Sequence, residues 1–354
     1  MSTVLPPFSC TYSPNIPELL QQLNCSVALS TYQAGKLIFL SAKDRDHLIQ
    51  LPRNFSKAMG IALEGDKLGI ATLDEVIVLS NSRELASTYP KNPNTYDSLF
   101  VPRSVYFTGS IDIHDLHWQD GRLWAVNTLF SCLCTIDHEY SFVPQWQPDF
   151  ISELAPEDRC HLNGLEMVDG KPKFVTALGK TDSPKGWKKN KVSGGLLIDV
   201  ETQDIIVENL PMPHSPRYIH GKLYVLFSAT GELAEVDPQN HHYKIIRKFP
   251  GFVRGMAHID DYLFIGLSKI RRTSESFADL PIAIEANASG VVVVHLPTGS
   301  LAGQIIYQNS VDEIYDVQIL PGLLRPGMIN YREELHKSAL VTPSHTYWGS
   351  LPPI

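Results

Sequence analysis

A short strand, a tight turn of the D-G-R/K kind and a second strand opening on apolar residues recur along this chain. No other feature constrains the fold as much. Four copies are clear: IDIHDLHWQDGRLWAVNT, CHLNGLEMVDGKPKFVTA, MPHSPRYIHGKLYVLFSA and FVRGMAHIDDYLFIGLSK. SKAMGIALEGDKLGIATL is a weaker fifth, and DEIYDVQILPG is a sixth that stops after its first strand. Aligned on the turn, the first strands fall near residues 58–63, 112–118, 161–168, 214–219, 253–259 and 314–320. D-G and H-G between alternating apolar runs are hairpin signals, because such turns need positive φ. Complete units continue through two more strand-like runs, as ELAEVD and HYKIIRKF follow KLYVLFSA. Four strands per unit make a propeller blade. The expected fold is all-β, a six-bladed β-propeller.

The truncated sixth unit has a remedy at the other end of the chain. CSVALSTYQAGKLIFLSAKDRDHLIQLPRNF reads as the second, third and fourth strands of a blade without a first. Residues 25–53 should therefore complete the blade begun at 314–320, closing the ring and removing open sheet edges. The expected organisation is an N-terminal segment over 1–24 with one short helix started by Pro17, a propeller over 25–334 and a tail over 335–354.

Charge excludes some partners. The 354-residue chain carries a net charge of −8, whereas phosphate binding needs a basic face. Neither nucleic acid nor a membrane surface is expected, and no apolar run approaches the ~18–20 residues of a span. The start, MSTVLPPFSCTYSPN, has neither the basic nor the apolar region of a signal peptide. Five scattered cysteines (10, 25, 132, 134, 160) fit a reduced, cytoplasmic setting. Cys132 and Cys134 alternate onto one strand face as small apolar residues. GKT at 179–181 lacks the upstream glycine of a P-loop.

STYQAGKL at 30–37, IHDLHW at 113–118, HLNGLEM at 161–167, HSPRY at 214–218 and GLSKIR at 266–271 resemble a group of bacterial, often cyanobacterial, proteins classed as a domain of unknown function. The resemblance covers nearly the whole chain and implies a propeller, with no activity to carry over. More distantly, the architecture is similar to six-bladed gluconolactonase-like propellers, which hold calcium at the axis through Glu, Asn and Asp. This chain has His and Arg where those acids would stand, so a calcium lactonase is not expected.

The first strand of each blade lines the axis. Counting back from the turn places Met59, His114, Asn163, His214, Arg254 and Tyr315 at one level, then Gly60, Asp115, Gly164, Ser215, Gly255 and Asp316 at the next. His114, His214 and Tyr315 are the candidate catalytic residues, since imidazole exchanges protons near neutrality. Asn163 and Arg254 are candidate substrate-binding residues, the guanidinium fork suiting a carboxylate or phosphate. His161 shares the face of Asn163 by alternation. With His114 and His214 it could bind a divalent transition metal. Two long loops, 179–195 and 268–290, should overhang this end with Lys180, Trp187 and Arg271 as a basic, partly aromatic rim. The expected activity is histidine acid–base chemistry on a small anionic molecule or peptide. The alternative is a non-catalytic propeller that binds a ligand or a protein partner.

Overall fold

Asp120–Gly121, Asp169–Gly170 and His220–Gly221 take positive φ at both residues. That is the mirror-image turn whose twist matches a hairpin. Each folds a blade's first strand onto its second: Ile113–Gln119 onto Arg122–Asn127, Leu162–Val168 onto Lys171–Ala177, Pro213–Ile219 onto Lys222–Phe227. At Gly221, φ is 79° and an added Cβ would meet nothing within 4 Å. Gly221→Ala should therefore cost about 1 kcal/mol of unfolding free energy from backbone conformation alone. Urea titration checks this.

The computed structural model describes residues 5–270 and 277–350. It is a six-bladed propeller of antiparallel sheets. The second blade begins at Ile61–Glu64, the third at Ile113–Gln119, the fourth at Leu162–Val168, the fifth at Pro213–Ile219 and the sixth at Phe252–Ile259. The closing blade joins both ends of the chain as expected. Asp316–Pro321 pairs with Cys25–Thr31, from Ser30 opposite Asp316 to Cys25 opposite Pro321. Lys36–Ala42 and Leu48–Asn54 complete it. The innermost strands touch in an unbroken cycle.

The flanking segments pack on the ring. Cys10–Tyr12 adds a strand outside Ser300–Tyr307, and helix Ile16–Gln22 buries Ile16, Leu19 and Leu20. Pro326–Met328 lies parallel to Ser98–Phe107, and the tail hairpin Ala339–Val341 with Thr346–Trp348 packs near Arg83–Ser87. Cys132 and Cys134 are buried in the apolar layer between blades.

Apolar clusters fill the gaps between blades, as where Phe174 and Leu197 meet Val225 and Phe227. Two polar belts tie the inner strands. In one, a hydroxyl ending a second strand donates to a carbonyl starting the next blade: Ser30 to Met59, Thr128 to Leu162 and Ser228 to Val253, all at 2.5 Å, and Ser268 to Ile314 at 3.1 Å. In the other, Asp316 accepts from the Ile61 N–H, Asp115 from the Leu165 N–H and Ser215 from the Gly255 N–H. Strands approach closely here. A Cβ on Gly255 would lie 2.6 Å from Asp316 Cα, and its φ is 74°. No helix of the described residues is long and apolar enough to cross a membrane.

Candidate functional site

The belt of hydroxyls that includes Thr128 and Ser228 fixes two histidines. His114 Nδ1 lies 2.8 Å from Thr128 Oγ1 and 3.2 Å from the Asp112 carbonyl. His214 repeats this, 2.8 Å from Ser228 Oγ and 3.0 Å from the Met212 carbonyl. Each hydroxyl gives its own hydrogen to the next blade, and a carbonyl can only accept. Both rings therefore carry hydrogen on Nδ1 and, when neutral, a lone pair on Nε2. Burial, then the neighbouring His161 and Arg254, holds His114 well below the usual imidazole range; burial, then Arg254, does the same to His214. Both are neutral at pH 7.

His161 reaches the same place by another route. It precedes the strand Leu162–Val168 and has a left-handed φ of 52°, so alternation does not set its direction. Its ring centroid is 4.8 Å from that of His114 and 4.3 Å from that of Trp187. Asp158 Oδ1 accepts from His161 Nδ1 at 2.9 Å, and Asp158 Oδ2 accepts from Trp187 Nε1 at 2.9 Å. Among the described residues, no hydrogen bond engages Nε2 of any of these three histidines.

Arg254 lies on the face of Tyr315, its guanidinium carbon 3.3 Å from the ring centroid, and its Nη1 is 4.0 Å from Glu313 Oε1. The Tyr315 ring is 5.6 Å from that of His114, and burial pushes its hydroxyl well up. Asn163 Oδ1 accepts from Thr176 Oγ1 at 2.6 Å, which orients the amide. Three buried polar atoms lack a partner among the described residues: Arg254 Nη2, Asn163 Nδ2 and Tyr315 Oη. Met59, the apolar member of the level, packs in the same cluster as Tyr315.

The two long loops meet. Trp187, Leu280 and Ile282 share a cluster with Met212, Ala229 and Phe252 of the fifth and sixth blades, and Lys191 Nζ lies 2.7 Å from Asp279 Oδ1. Trp187 is a buried ceiling on His161 rather than an exposed rim group, because its indole N–H is held by Asp158. Lys180 is exposed. Arg271 lies outside the described residues.

Among the described residues, no group of three or more His, Cys, Asp or Glu is placed to hold a metal ion. His114, His161 and His214 thus share a neighbourhood without forming the ligand set expected for a divalent transition metal. Arg254 beside them would also repel a cation. Sequence reasoning missed Asp158, Thr128 and Ser228. The signal for the last two is a hydroxyl residue 14 positions after each histidine.

The model of a family described as a domain of unknown function, DUF4915, matches residues 14–329. No curated protein matches. A solved nidogen–laminin complex contains a chain similar in fold, with a TM-score of 0.52 at 9% identity over 84% of this chain and 99% of that one. At that identity the likeness concerns the propeller alone.

Proposed function

The chain belongs to the DUF4915 family of domains of unknown function, and for this member we propose an enzyme that binds a small anion on the propeller axis and moves a proton with histidine. Arg254 and Asn163 anchor the anion, and Tyr315 donates or accepts beside them. His114 and His214 present unprotonated Nε2 atoms as general bases, which suits proton removal near neutral pH. His161, oriented through Nδ1 by Asp158, presents its ring beside that of His114. Lys180, and Arg271 outside the described residues, would guide an anion toward the axis. Free cysteines, four of them buried, support a reducing, cytoplasmic setting.

The observation that carries this reading is the buried Arg254 Nη2 with no partner among the described residues, set among three imidazoles. Leaving such a group unpaired costs about 1–3 kcal/mol or more, which a ligand removes. Arg254→Lys should weaken binding of small carboxylates about tenfold, because the planar fork is lost, with little change in melting temperature. Calorimetric titration of both proteins with a carboxylate panel tests it. Equal affinity in the two proteins would remove Arg254 from the site.

A protein-binding role has one supporting feature at the rim. A cleft of about 470 Å³ is bordered by Tyr106, Phe107 and Tyr140, and Phe107 is 77% exposed. Phe107→Ser would abolish a partner's binding and leave axial chemistry untouched.

A further inference from the structure

The polar groups of the axial level have definite senses, and together they specify a ligand. Arg254 Nη2 and Asn163 Nδ2 can only donate, and neither has an acceptor among the described residues. The imidazoles are the reverse. Nδ1–H of His114 is committed to Thr128 and Asp112, and that of His214 to Ser228 and Met212. What each neutral ring offers is the Nε2 lone pair, which can only accept. A bare carboxylate would satisfy the donors and set its oxygens against two further lone pairs. A bare polyol would satisfy the rings and leave Arg254 Nη2 and Asn163 Nδ2 without a carboxylate acceptor.

From this complementarity we infer that the axial site takes a hydroxy carboxylate: the carboxylate meets Arg254 and Asn163, and hydroxyls on neighbouring carbons donate to Nε2 of His114 and His214. The inference rests on the axial-site reading above and narrows its ligand. Two electrostatic facts select within the class. Arg254 acts on both rings to disfavour positive charge, and the same field disfavours an ammonium where the hydroxyls sit. Glu313 lies 4.0 Å from Arg254 and Asp112 3.7 Å from His114, so negative charge is already present and a monoanion is better tolerated than a phosphate dianion. A hydroxyl held by an imidazole lone pair is also where a general base would remove a proton.

A three-carbon series tests this with the full chain: glycerate, propanoate, glycerol, serine and glycerol phosphate, followed by ligand-observed NMR and calorimetry. Glycerate should bind about tenfold tighter than propanoate or glycerol, since a site built for hydroxyls rejects analogues lacking them. His114→Asn and His214→Asn keep a donor near the Nδ1 position and remove Nε2. They should erase the preference for glycerate over propanoate while propanoate still binds. Imidazole nitrogen spectra of the unaltered protein should show glycerate, and not propanoate, shifting the Nε2 resonances, which guards against variants that fail to fold. Propanoate binding as tightly as glycerate overturns the hydroxyl requirement and leaves the anion site standing. Serine binding tighter overturns the choice of hydroxyl, and glycerol phosphate binding tighter overturns the choice of carboxylate. If no member binds, the axial-site reading falls with the inference.

Discussion

Arg217→Met should lower the unfolding free energy by about 3–5 kcal/mol, the usual cost of breaking a buried ion cluster on one side. Arg217 sits one level below the histidines and ties four blades. Its Nε donates to the Met256 carbonyl at 2.9 Å, and its Nη1 donates to the Leu165 carbonyl at 3.1 Å and the Pro216 carbonyl at 2.8 Å. Nη1 also lies 3.5 Å from Asp115 Oδ2 and 3.9 Å from Glu166 Oε2. Burial works against ionising Asp115, yet Arg217 and His117 hold it low; burial raises Glu166, and Arg217 opposes that. Without the guanidinium, two buried carboxyls lose their counter-charge. Denaturant unfolding measures the loss, and Asp115→Asn added to Arg217→Met should restore part of it by removing one orphaned charge. A loss under about 1 kcal/mol would mean that groups other than Arg217 balance these carboxyls.

What the sequence disclosed depended on whether local chemistry or tertiary packing decided the outcome. The D-G and H-G turns report backbone conformation directly, so the blades and their phase were legible. Counting from those turns put His114, His214 and Arg254 at one level, and they lie in one neighbourhood because each blade repeats the same register. Closure was legible because Asp316–Pro321 lacked partner strands and the N-terminal stretch had strands to spare. The failures came where the strand period stops. His161 lies outside its strand with a left-handed backbone, so alternation gave no information about it, and its partner Asp158 went unseen. Trp187 was read as a rim residue because its loop is rich in lysine; an aromatic that caps an apolar cluster from a polar loop has no periodic signature. The Arg217 layer was visible only as letters in IHDLHW, HLNGLEM and HSPRY. Its meaning lies in contacts between blades far apart in sequence. Three histidines on one axis suggested metal, but spacing along separate blades does not fix where their nitrogens point.

The neutral histidines make a second prediction of similar size, one that needs no ligand. His114 and His214 are both held below their unfolded value, near 6.5, by burial and by neighbouring rings and Arg254. Below about pH 6.5 the unfolded chain takes up protons that the folded chain refuses. Stability is then complete above that pH and falls as pH drops, by ~1.4 kcal/mol per pH unit for each ring. Two rings carried from pH 6.5 to 5 amount to about 4 kcal/mol. His258, lowered by burial, adds to the loss. Asp316 and Glu166 act in the opposite sense: each is raised by burial, so the folded chain keeps a proton that the unfolded one releases, and acid stabilises them. The two axial rings against Asp316, whose carboxyl is raised to about 7, leave a net loss of about 1.4 kcal/mol per unit in the wild type. In the His114→Asn, His214→Asn double variant both ring contributions are gone and the opposing contribution of Asp316 remains. Its melting temperature should hold or rise between pH 7 and 5.5, where that of the wild type falls. Imidazole nitrogen spectra over the same range should show both rings with hydrogen on Nδ1 and none on Nε2. A wild type as stable at pH 5 as at pH 7, with either ring doubly protonated, would mean these histidines carry charge in the folded state, and a base with no free lone pair cannot do the chemistry assigned to it.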